Sequence, residues 1–328
     1  MKLSVLDQTP VPEGTTAGQA LANTLDLARR ADALGYHRYW LAEHHGGSLL
    51  AGPAPEVLVG PVADATTGIR VGTGGVMLPH YSPFKVAEVF SVLAALYPGR
   101  IDLGLGRAAG TDPLTTFALQ RDRRQAAPDD FPQQLAELLA HLNGTIPADH
   151  PFARIALPTE DRPEPWLLGS SPQSAIWAEE TGLDYAFADF INPQGADLGL
   201  AKAPRAVAVW ALAADSEEEA QHLASSSRVT LLELRRGNLI PVPPPEKALE
   251  YLRDIPRPHQ SSGRRAVLGT PDQVRARLEE IAAAYGAEEV IVVTITHDHA
   301  ARVRSYELIA DAFDLTPRAD CHKVVTKS

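Results

Sequence analysis

A carboxylate and two adjacent imidazoles, Glu43, His44 and His45, form the stretch of the sequence best suited to chemistry. They follow an apolar run at 39–42 and precede two glycines at 46–47, which allow the backbone to turn sharply. An α/β enzyme presents its reactive side chains where an apolar strand ends in such a turn. The pattern therefore indicates a catalytic group at the edge of a sheet; an ordinary solvated loop is the alternative.

A second segment has the character of a phosphate site. Gly169, Ser170 and Ser171, with Ser174 one turn later, stand where a strand passes into a helix, so that N–H groups and hydroxyls converge there. Simple capping of the helix would use the same residues. Arg107 supplies a forked donor that suits phosphate, unless it is an ordinary exposed arginine.

Glycines mark two further strand ends. Gly74 and Gly75 interrupt a β-branched strand, which leaves bare backbone for a flat ligand or marks a β-bulge. The pair Gly104 and Gly106 is a weak phosphate signal because the wider G-x-G-x-x-G pattern is absent. Asp102 is a candidate catalytic acid, but a strand-end Asp that bonds neighbouring backbone is favoured.

These segments are positioned by a regular alternation of strand and helix patterns, which is typical of a parallel sheet. Eight strands are predicted, so the fold class is an α/β protein with a (β/α)8 TIM barrel. A polar insertion follows the fourth strand at 107–130, and a Pro-rich excursion covers 237–258. The predicted strands are 3–9, 38–42, 69–78, 100–106, 166–168, 185–188, 205–214 and 289–296.

A barrel of this kind builds its active site at the carboxyl ends of its strands, so the four candidate segments should share one rim. Residues 1–316 are predicted to form a single domain, and 317–328 a polar and poorly ordered tail. No bound metal is expected. Adjacent residues of an extended Glu-His-His run point to opposite faces, and no second cluster has ligand spacing.

Composition excludes several other classes. The 328 residues are 45% hydrophobic and 22% charged, without an apolar run that would cross a bilayer, so no membrane partner is expected. The net charge of −11 and the lack of a dense Lys/Arg run argue against a nucleic-acid partner. A single cysteine, Cys321, and the lack of a secretory signal predict a cytoplasmic protein.

Four motifs together resemble the bacterial luciferase-like monooxygenase family, and within it the alkanal-monooxygenase-like, FMN-dependent flavoproteins. The resemblance extends from about Leu3 to Phe313. The motifs are W-L-A-E-H-H at 40–45, V-G-T-G-G-V-M-L-P-H-Y-S-P at 71–83, G-R-I-D-L-G-L-G-R-A-A-G-T-D at 99–112 and L-L-G-S-S-P-Q-S-A at 167–175.

The resemblance implies a barrel that binds reduced FMN, with O2 as co-substrate. The flavin would lie over the bulge of the third strand, at a non-proline cis peptide between Gly74 and Gly75, with Met77 beside it. Its phosphate would be held by Arg107 and by the loop of the second segment, including Gly169, Ser170, Ser171 and Ser174. The family's active-site imidazole corresponds to His44, with Glu43 beside it.

The implied reaction forms a C4a-peroxyflavin that oxygenates a small organic substrate, with long-chain aldehydes as the family default. The protein would exclude water, and His44 would assist proton transfer near neutral pH. The 107–130 insertion would cover the site. No nicotinamide fingerprint is present, which fits FMNH2 delivery by a separate flavin reductase. A homodimer through the early helices is the assembly implied.

One departure from the family pattern concerns 190–204, which is shorter than the usual crossover after the sixth strand. The expectation is an incomplete crossover, with an open barrel or a wall supplied by a partner. This departure motivates one alternative, a non-catalytic flavin-binding or partner subunit, and the intact His44 and Arg107 argue against it. A second alternative, which shares the barrel and the bulge, is an F420-dependent oxidoreductase that transfers hydride without O2; the Glu43-His44-His45 motif favours FMN over it.

Overall fold

Short apolar segments form parallel strands, and helices with one apolar face connect them. The computed structural model describes residues 1–107, 112–120, 122–125, 129–197, 199, 204–255 and 266–318. The strands are β1 (Lys2–Asp7), β2 (Arg38–Leu41), β3 (Arg70–Met77), β4 (Ile101–Gly106), β5 (Glu164–Gly169), β6 (Asp184–Ala188), β7 (Ala206–Ala213), β8 (Ala266–Gly269) and β9 (Glu289–Val293). The helices are α1 (Ala17–Leu34), α2 (Pro55–Asp64), α3 (Pro83–Leu96), α4 (Pro113–Leu119), α5 (Phe131–Asn143), α6 (Pro172–Thr181), α7 (Glu217–Arg235), α8 (Pro245–Leu252), α9 (Pro271–Tyr285) and α10 (His299–Ala312), with a 3-10 turn at Leu78–His80.

Eight of these strands close a parallel barrel, which confirms the predicted (β/α)8 architecture. Strands β1 to β6 pair in sequence order, β6 pairs with β7, and β9 joins β7 to β1. The ninth strand, β8, was not predicted. Trp210 of β7 pairs with Val293 of β9 and with Ala266 of β8, so β8 continues the edge of β7 beyond the end of β6.

The short crossover between β6 and β7 does not open the barrel. Its described residues, 189–197, 199 and 204, contain turns and no helix, while Ala186 of β6 pairs directly with Ala206 of β7. The space left by a helix is filled locally, because Gly195 lies so close to Phe187 that a Cβ there would be 2.2 Å from the ring. The expectation of an open barrel is therefore wrong, and no wall from a partner is needed to close it.

Two helices lie in segments that the sequence presents as irregular. Helix α4 occupies the predicted insertion at 107–130, and its N-terminus is capped by Asp112, which accepts from the backbone N–H of Leu114 at 2.9 Å. Helix α8 lies within the Pro-rich excursion at 237–258. Residues 108–111, 121 and 126–128 of the insertion are outside the described residues.

The amino ends of the strands are closed by a buried ion network. The Arg38 guanidinium bonds both Asp102 and Glu289 at 2.8 Å, and Arg70 pairs with Asp102 at 2.5 Å. The indole N–H of Trp40 also donates to Asp102 at 2.8 Å. Asp102 is thus a structural ion-pair partner near the start of β4, and it bonds side chains rather than neighbouring backbone.

Within the described residues, none of the helices combines the length and apolar character required to cross a bilayer. Of the predicted tail at 317–328, residues 319–328 are outside the described residues. Arg318 packs against the end of α1, where its guanidinium donates to the Asp32 carboxylate at 3.0 Å and to the Tyr36 carbonyl at 2.8 Å. The division of the chain into one domain and a tail stays a prediction.

Candidate active site

The carboxylate of Glu43 is the centre of a hydrogen-bonded cluster at the carboxyl end of β2. The side chain is fully buried. One oxygen, Oε2, accepts from the backbone N–H of Met77 at 2.9 Å, and the other, Oε1, accepts from the Tyr81 hydroxyl at 3.1 Å. The Nε2 atom of His45 lies 2.7 Å from the same Oε1. Such a buried carboxylate is stabilised because donors from three segments surround it.

The imidazole of His45 lies beside this carboxylate, and His44 precedes it in the same turn. His44 is half-buried, and its backbone N–H donates to the Gly52 carbonyl at 3.3 Å. The ring of His45 packs edge-on against that of His80, with centroids 5.7 Å apart. His80 and Tyr81 were not singled out from the sequence. The available signal was their position in P-H-Y, directly after β3, within a motif that carries the family resemblance.

The glycine pair of β3 forms a bulge. The register between β3 and β4 shifts between Thr73 and Val76, and the peptide bond from Gly74 to Gly75 is cis, as the resemblance implied. Side chains would not fit there: a Cβ on Gly75 would lie 2.7 Å from the Gly104 carbonyl oxygen. The bulge therefore brings bare backbone to the same end of the barrel as Glu43.

The loop between β5 and α6 gathers hydroxyl groups at a helix N-terminus. Ser171 occupies the N-cap position, but its side chain caps no backbone N–H of α6. Its Oγ instead lies 3.3 Å from that of Ser174. Gly169 allows this close packing, since a Cβ there would be 2.1 Å from the Ser174 hydroxyl. The Ser170 carbonyl accepts from the Asn192 amide at 3.1 Å, so the short crossover supports the loop.

Arg107 lies at the end of β4 against α6. Its guanidinium is 5.6 Å from the centroid of the Trp177 ring and 3.3 Å from both carboxylate oxygens of Asp129. The side chain is 49% exposed, so this ion pair contributes little to stability, and Arg107 can bind another anion in place of Asp129.

Tyr185 lies beside the hydroxyls of the β5–α6 loop. Burial raises the pKa of its hydroxyl, and this effect outweighs the lowering effect of the Ser174 hydroxyl.

Glu56, in the first turn of α2, is a further acidic group that was not singled out from the sequence. Its Oε2 atom is buried and makes no hydrogen bond in the described structure. Burial raises the pKa of this carboxyl, and the negative charge of Glu43 raises it further. Burial raises the pKa of the Tyr81 hydroxyl, and the negative charges of Glu43 and Glu56 raise it further. A second acidic group therefore faces the Glu43 cluster from the adjacent helix.

The structure thus groups the candidate residues into two sets on the carboxyl rim of the barrel. Glu43, His45 and Met77 are in direct contact near the glycine bulge, and Ser171 and Ser174 meet at the start of α6. In the part of the chain that the structure describes, no group of three or more His, Cys, Asp or Glu residues could hold a metal ion. The donor set suits an organic ligand with a phosphate.

Comparison with known proteins shows which family the sequence matches. Residues 1–289 match the luciferase-like monooxygenase family. A luciferase-like monooxygenase of Escherichia coli (strain K12) is 39% identical over 323 residues, 94% of this chain and 96% of the relative. The N-acetyl-S-alkylcysteine monooxygenase of Bacillus subtilis (strain 168) is 38% identical over 333 residues, 95% of this chain and 98% of the relative.

Solved structures agree. The crystal structure of apo-MsnO8 superposes with a TM-score of 0.87 at 41% identity, covering 97% of this chain and 99% of that one. Two more distant structures share the fold: the oxygenating constituent of 3,6-diketocamphane monooxygenase in complex with FMN, at 19% identity and TM-score 0.69, and an F420-dependent secondary alcohol dehydrogenase, at 14% and 0.61. They cover 97% and 95% of this chain and 99% and 98% of their own.

Proposed function

The chain belongs to the luciferase-like monooxygenase family, and on this premise we propose that it is an FMN-dependent monooxygenase. It uses reduced FMN and O2 to oxygenate a small organic substrate. The observation that carries the proposal is the arrangement of the carboxyl rim. The glycine bulge at Gly74 and Gly75, the Glu43 cluster and the hydroxyls of Ser171 and Ser174 lie at strand ends of one barrel.

The residues present fit this cofactor. Arg107 and the hydroxyls of Ser170, Ser171 and Ser174 would hold the phosphate, with the dipole of α6 in support. Asp129 is only a surface partner of Arg107, so a phosphate would displace it. A second set, Gly74, Gly75, Met77 and Gly169, would provide bare or apolar surface and close approach. When bound, reduced flavin supplies the activation of O2.

The protein's own contribution lies in acid–base groups and in the exclusion of water. His44 would transfer a proton at the reacting centre, because the reference pKa of an imidazole lies near operating pH. Glu43 is the second catalytic candidate. Its oxygens already accept hydrogen bonds from Met77, Tyr81 and His45. These bonds support a role for Glu43 in holding the His45 ring and the glycine bulge in place.

The substrate class is proposed from the relatives. Both curated relatives described above are named monooxygenases, and one is named for N-acetyl-S-alkylcysteines. Thioethers with an alkyl group and aliphatic aldehydes are therefore the substrates to test first. Since no nicotinamide fingerprint is present, a separate flavin reductase would supply FMNH2. With one cysteine in the sequence, a reducing cytosol is the proposed compartment.

The proposed assembly is a homodimer through α2 and α3. Val57 of α2 and Leu96 of α3 are each 65% exposed, and Val92 is also exposed. Large apolar side chains that share neighbouring helices in this way are typical of a protein–protein contact.

A titration of the purified protein tests the cofactor. FMN, anaerobic FMNH2 and F420 are added in turn, and binding is followed by absorbance and fluorescence. We expect tight binding of FMNH2, and oxygen consumption coupled to a thioether or aldehyde when air is admitted with a reductase. Preference for F420 would instead indicate an F420-dependent oxidoreductase that transfers hydride, a class of enzyme whose fold this protein shares. Failure to bind either flavin would contradict the site assignment.

A further inference from the structure

Three segments cross above the mouth of the barrel and hydrogen-bond to one another; we call them the roof, residues 10–13, 47–52 and 239–243. Val11 N–H donates to the Leu49 carbonyl at 2.8 Å. In turn, Val242 N–H donates to the Val11 carbonyl at 2.9 Å, and the Ser48 hydroxyl donates to the Leu239 carbonyl at 3.3 Å. The roof therefore joins the loop that follows His44 and His45 to the segment before α8.

Below the roof the barrel lumen is already full. Trp40, Trp166 and Trp210 are buried in one apolar cluster of interior side chains, and Trp40 meets Trp166 edge-on with centroids 5.3 Å apart. A substrate cannot enter this space, because packed protein interiors lack voids of that size. The substrate must lie higher, between the lumen and the roof.

The boundary of that higher space is apolar. Five half-buried apolar side chains pack on the interior cluster, and their partial exposure marks where it meets open space. They come from the roof, from the ends of β5 and β6, and from α7. They are Leu50, Leu168, Ala188, Leu231 and Leu239. The polar groups Glu43 and His45 lie at the same end of the barrel, and we call them the polar half of the mouth.

Within this boundary, Leu239 packs directly against Gly47. A Cβ added to Gly47 would lie 2.4 Å from Leu239 Cδ1 and 2.8 Å from its Cβ. Contacts that short do not occur, so any side chain at Gly47 would drive Leu239 away from its present position. Gly47 is two residues after His45, and the contact thus joins the apolar wall directly to the turn that carries the imidazoles.

We propose that Leu239 is a specificity-determining residue, which sets the length of the alkyl group accepted beside His44, and that Gly47 holds it in place. The inference rests on the proposed function and specifies its substrate class: small molecules with one unbranched apolar arm and a polar reacting end. The arm lies against Leu239 and Leu50, and the reacting end faces the polar half of the mouth.

Two single variants and their combination test the proposal. Leu239→Ala removes three carbons from the wall, so the preferred chain length should increase by two to three carbons. Since each buried methylene contributes about fourfold in affinity, the longer probes should bind roughly tenfold or more tightly than to the wild type. Gly47→Ala should shorten the preferred chain. Leu239→Ala combined with Gly47→Ala should recover much of the longer preference, because the contact with Cδ1 at 2.4 Å is gone and only the contact with the Cβ of residue 239 at 2.8 Å remains.

The first readout is the dissociation constant of n-alkanals, from butanal to tetradecanal, measured by tryptophan fluorescence without flavin. The second is the turnover profile of the same aldehydes and of N-acetyl-S-alkylcysteines with FMNH2 from a reductase. Leu249→Ala on α8, whose side chain is exposed, is the matched control and should leave both profiles unchanged. Thermal unfolding verifies that each variant is folded.

The two readouts separate the possible failures. Chain-length profiles in folded Leu239→Ala and Gly47→Ala that match the wild type would overturn the proposal. So would wild-type protein that binds no alkanal, or a Gly47→Ala effect that is undiminished after Leu239→Ala. Alkanal binding that responds as expected, without oxygenation of any probe, would support this wall and contradict only the monooxygenase assignment.

Discussion

The Glu43 carboxylate accepts a hydrogen bond from the backbone N–H of Met77 at 2.9 Å, and this bond joins the end of β2 to β3 directly after its glycine bulge. With the bonds to Tyr81 and His45, it makes one carboxylate the meeting point of three segments of the rim. A carboxylate is required because both side-chain oxygens accept hydrogen bonds here, whereas an amide would offer only one acceptor oxygen.

Glu43→Gln should therefore cost more than its small change in shape suggests. The amide offers one acceptor oxygen and turns two donors toward groups that already donate, so at least one buried donor loses its partner. We expect a loss of about 1–3 kcal/mol in the free energy of unfolding and weaker FMNH2 binding. Urea unfolding and anaerobic titration measure both. Glu88→Gln, which removes only a surface contact to Lys85, is the control and should change stability by less than about 0.5 kcal/mol.

Arg107 and Asp129 should have opposite effects on FMN affinity. Arg107→Ala removes the proposed phosphate donor, so FMN should bind about tenfold more weakly or worse. Asp129→Asn removes the anion that competes for the guanidinium, so FMN should bind more tightly. Riboflavin, which lacks the phosphate, is the matched control ligand. Equal changes in riboflavin and FMN affinity would show that Arg107 acts on something other than the phosphate.

Two glycines provide a comparison of close packing with open space. A Cβ on Gly104 of β4 would lie 2.1 Å from the Thr73 carbonyl oxygen, and backbone cannot yield as a side chain can. Gly104→Ala should thus destabilise the fold by about 3 kcal/mol or more. In α2, Gly60 meets nothing closer than Leu93 at 3.8 Å, so Gly60→Ala should stabilise by about 0.5–1 kcal/mol. Equal unfolding midpoints for the two variants would contradict the β3–β4 contact.

His37 predicts a pH dependence of stability. Burial, and then the Arg38 guanidinium, lower its pKa from 6.5 to about 3, with Lys2, Arg70 and Arg318 adding to the effect. The unfolded chain then binds a proton that the folded protein excludes. This contribution to stability is complete above about pH 6.5 and is lost as the pH falls toward 3.

His37→Gln keeps a hydrogen-bond acceptor for Arg38 but cannot titrate. The free energy of unfolding should therefore fall less steeply in the variant than in the wild type as the pH is lowered from about 7 to about 5. Urea unfolding at several pH values gives the two curves. Parallel curves would show that His37 does not cause the loss.

The oligomeric state can be tested on α3. If α2 and α3 form the dimer contact, Leu96→Lys should convert a dimer to a monomer in sedimentation velocity, because a charge would be buried at the interface. Leu114→Lys, at an even more exposed position on α4, should leave the dimer intact. A wild-type protein that sediments as a monomer would contradict the assembly.

The strands that line the barrel were predictable because their apolar runs are bounded by glycine and proline. The run at 289–293 and the helix stop at Gly35, which adopts a left-handed conformation, are local signals. By contrast β8 has four residues, Ala266–Gly269, and too short a pattern to separate from a loop. Helices α4 and α8 are of seven and eight residues and begin at prolines within polar stretches.

The residue types of the candidate site could be predicted from the sequence, but the contacts between these residues could not. The run of Glu43, His44 and His45 in the sequence suggested a catalytic group, yet the contacts of Glu43 with Met77 and Tyr81 depend on how β2 and β3 align in the barrel. Asp102 shows the same limit. A structural Asp that bonds neighbouring backbone was favoured, but its partners Arg38 and Arg70 are 64 and 32 residues away, and only the closed barrel brings them together.

The roof has a consequence for how this protein can be altered. Its three loops follow β1, β2 and α7, yet Val11, Leu49 and Val242 are held in a single hydrogen-bonded unit. Exchanging one loop with that of a relative would leave donors and acceptors of the other two mismatched. A graft intended to change the substrate must transfer 10–13, 47–52 and 239–243 as one module, and natural variation in these loops is expected to be inherited together.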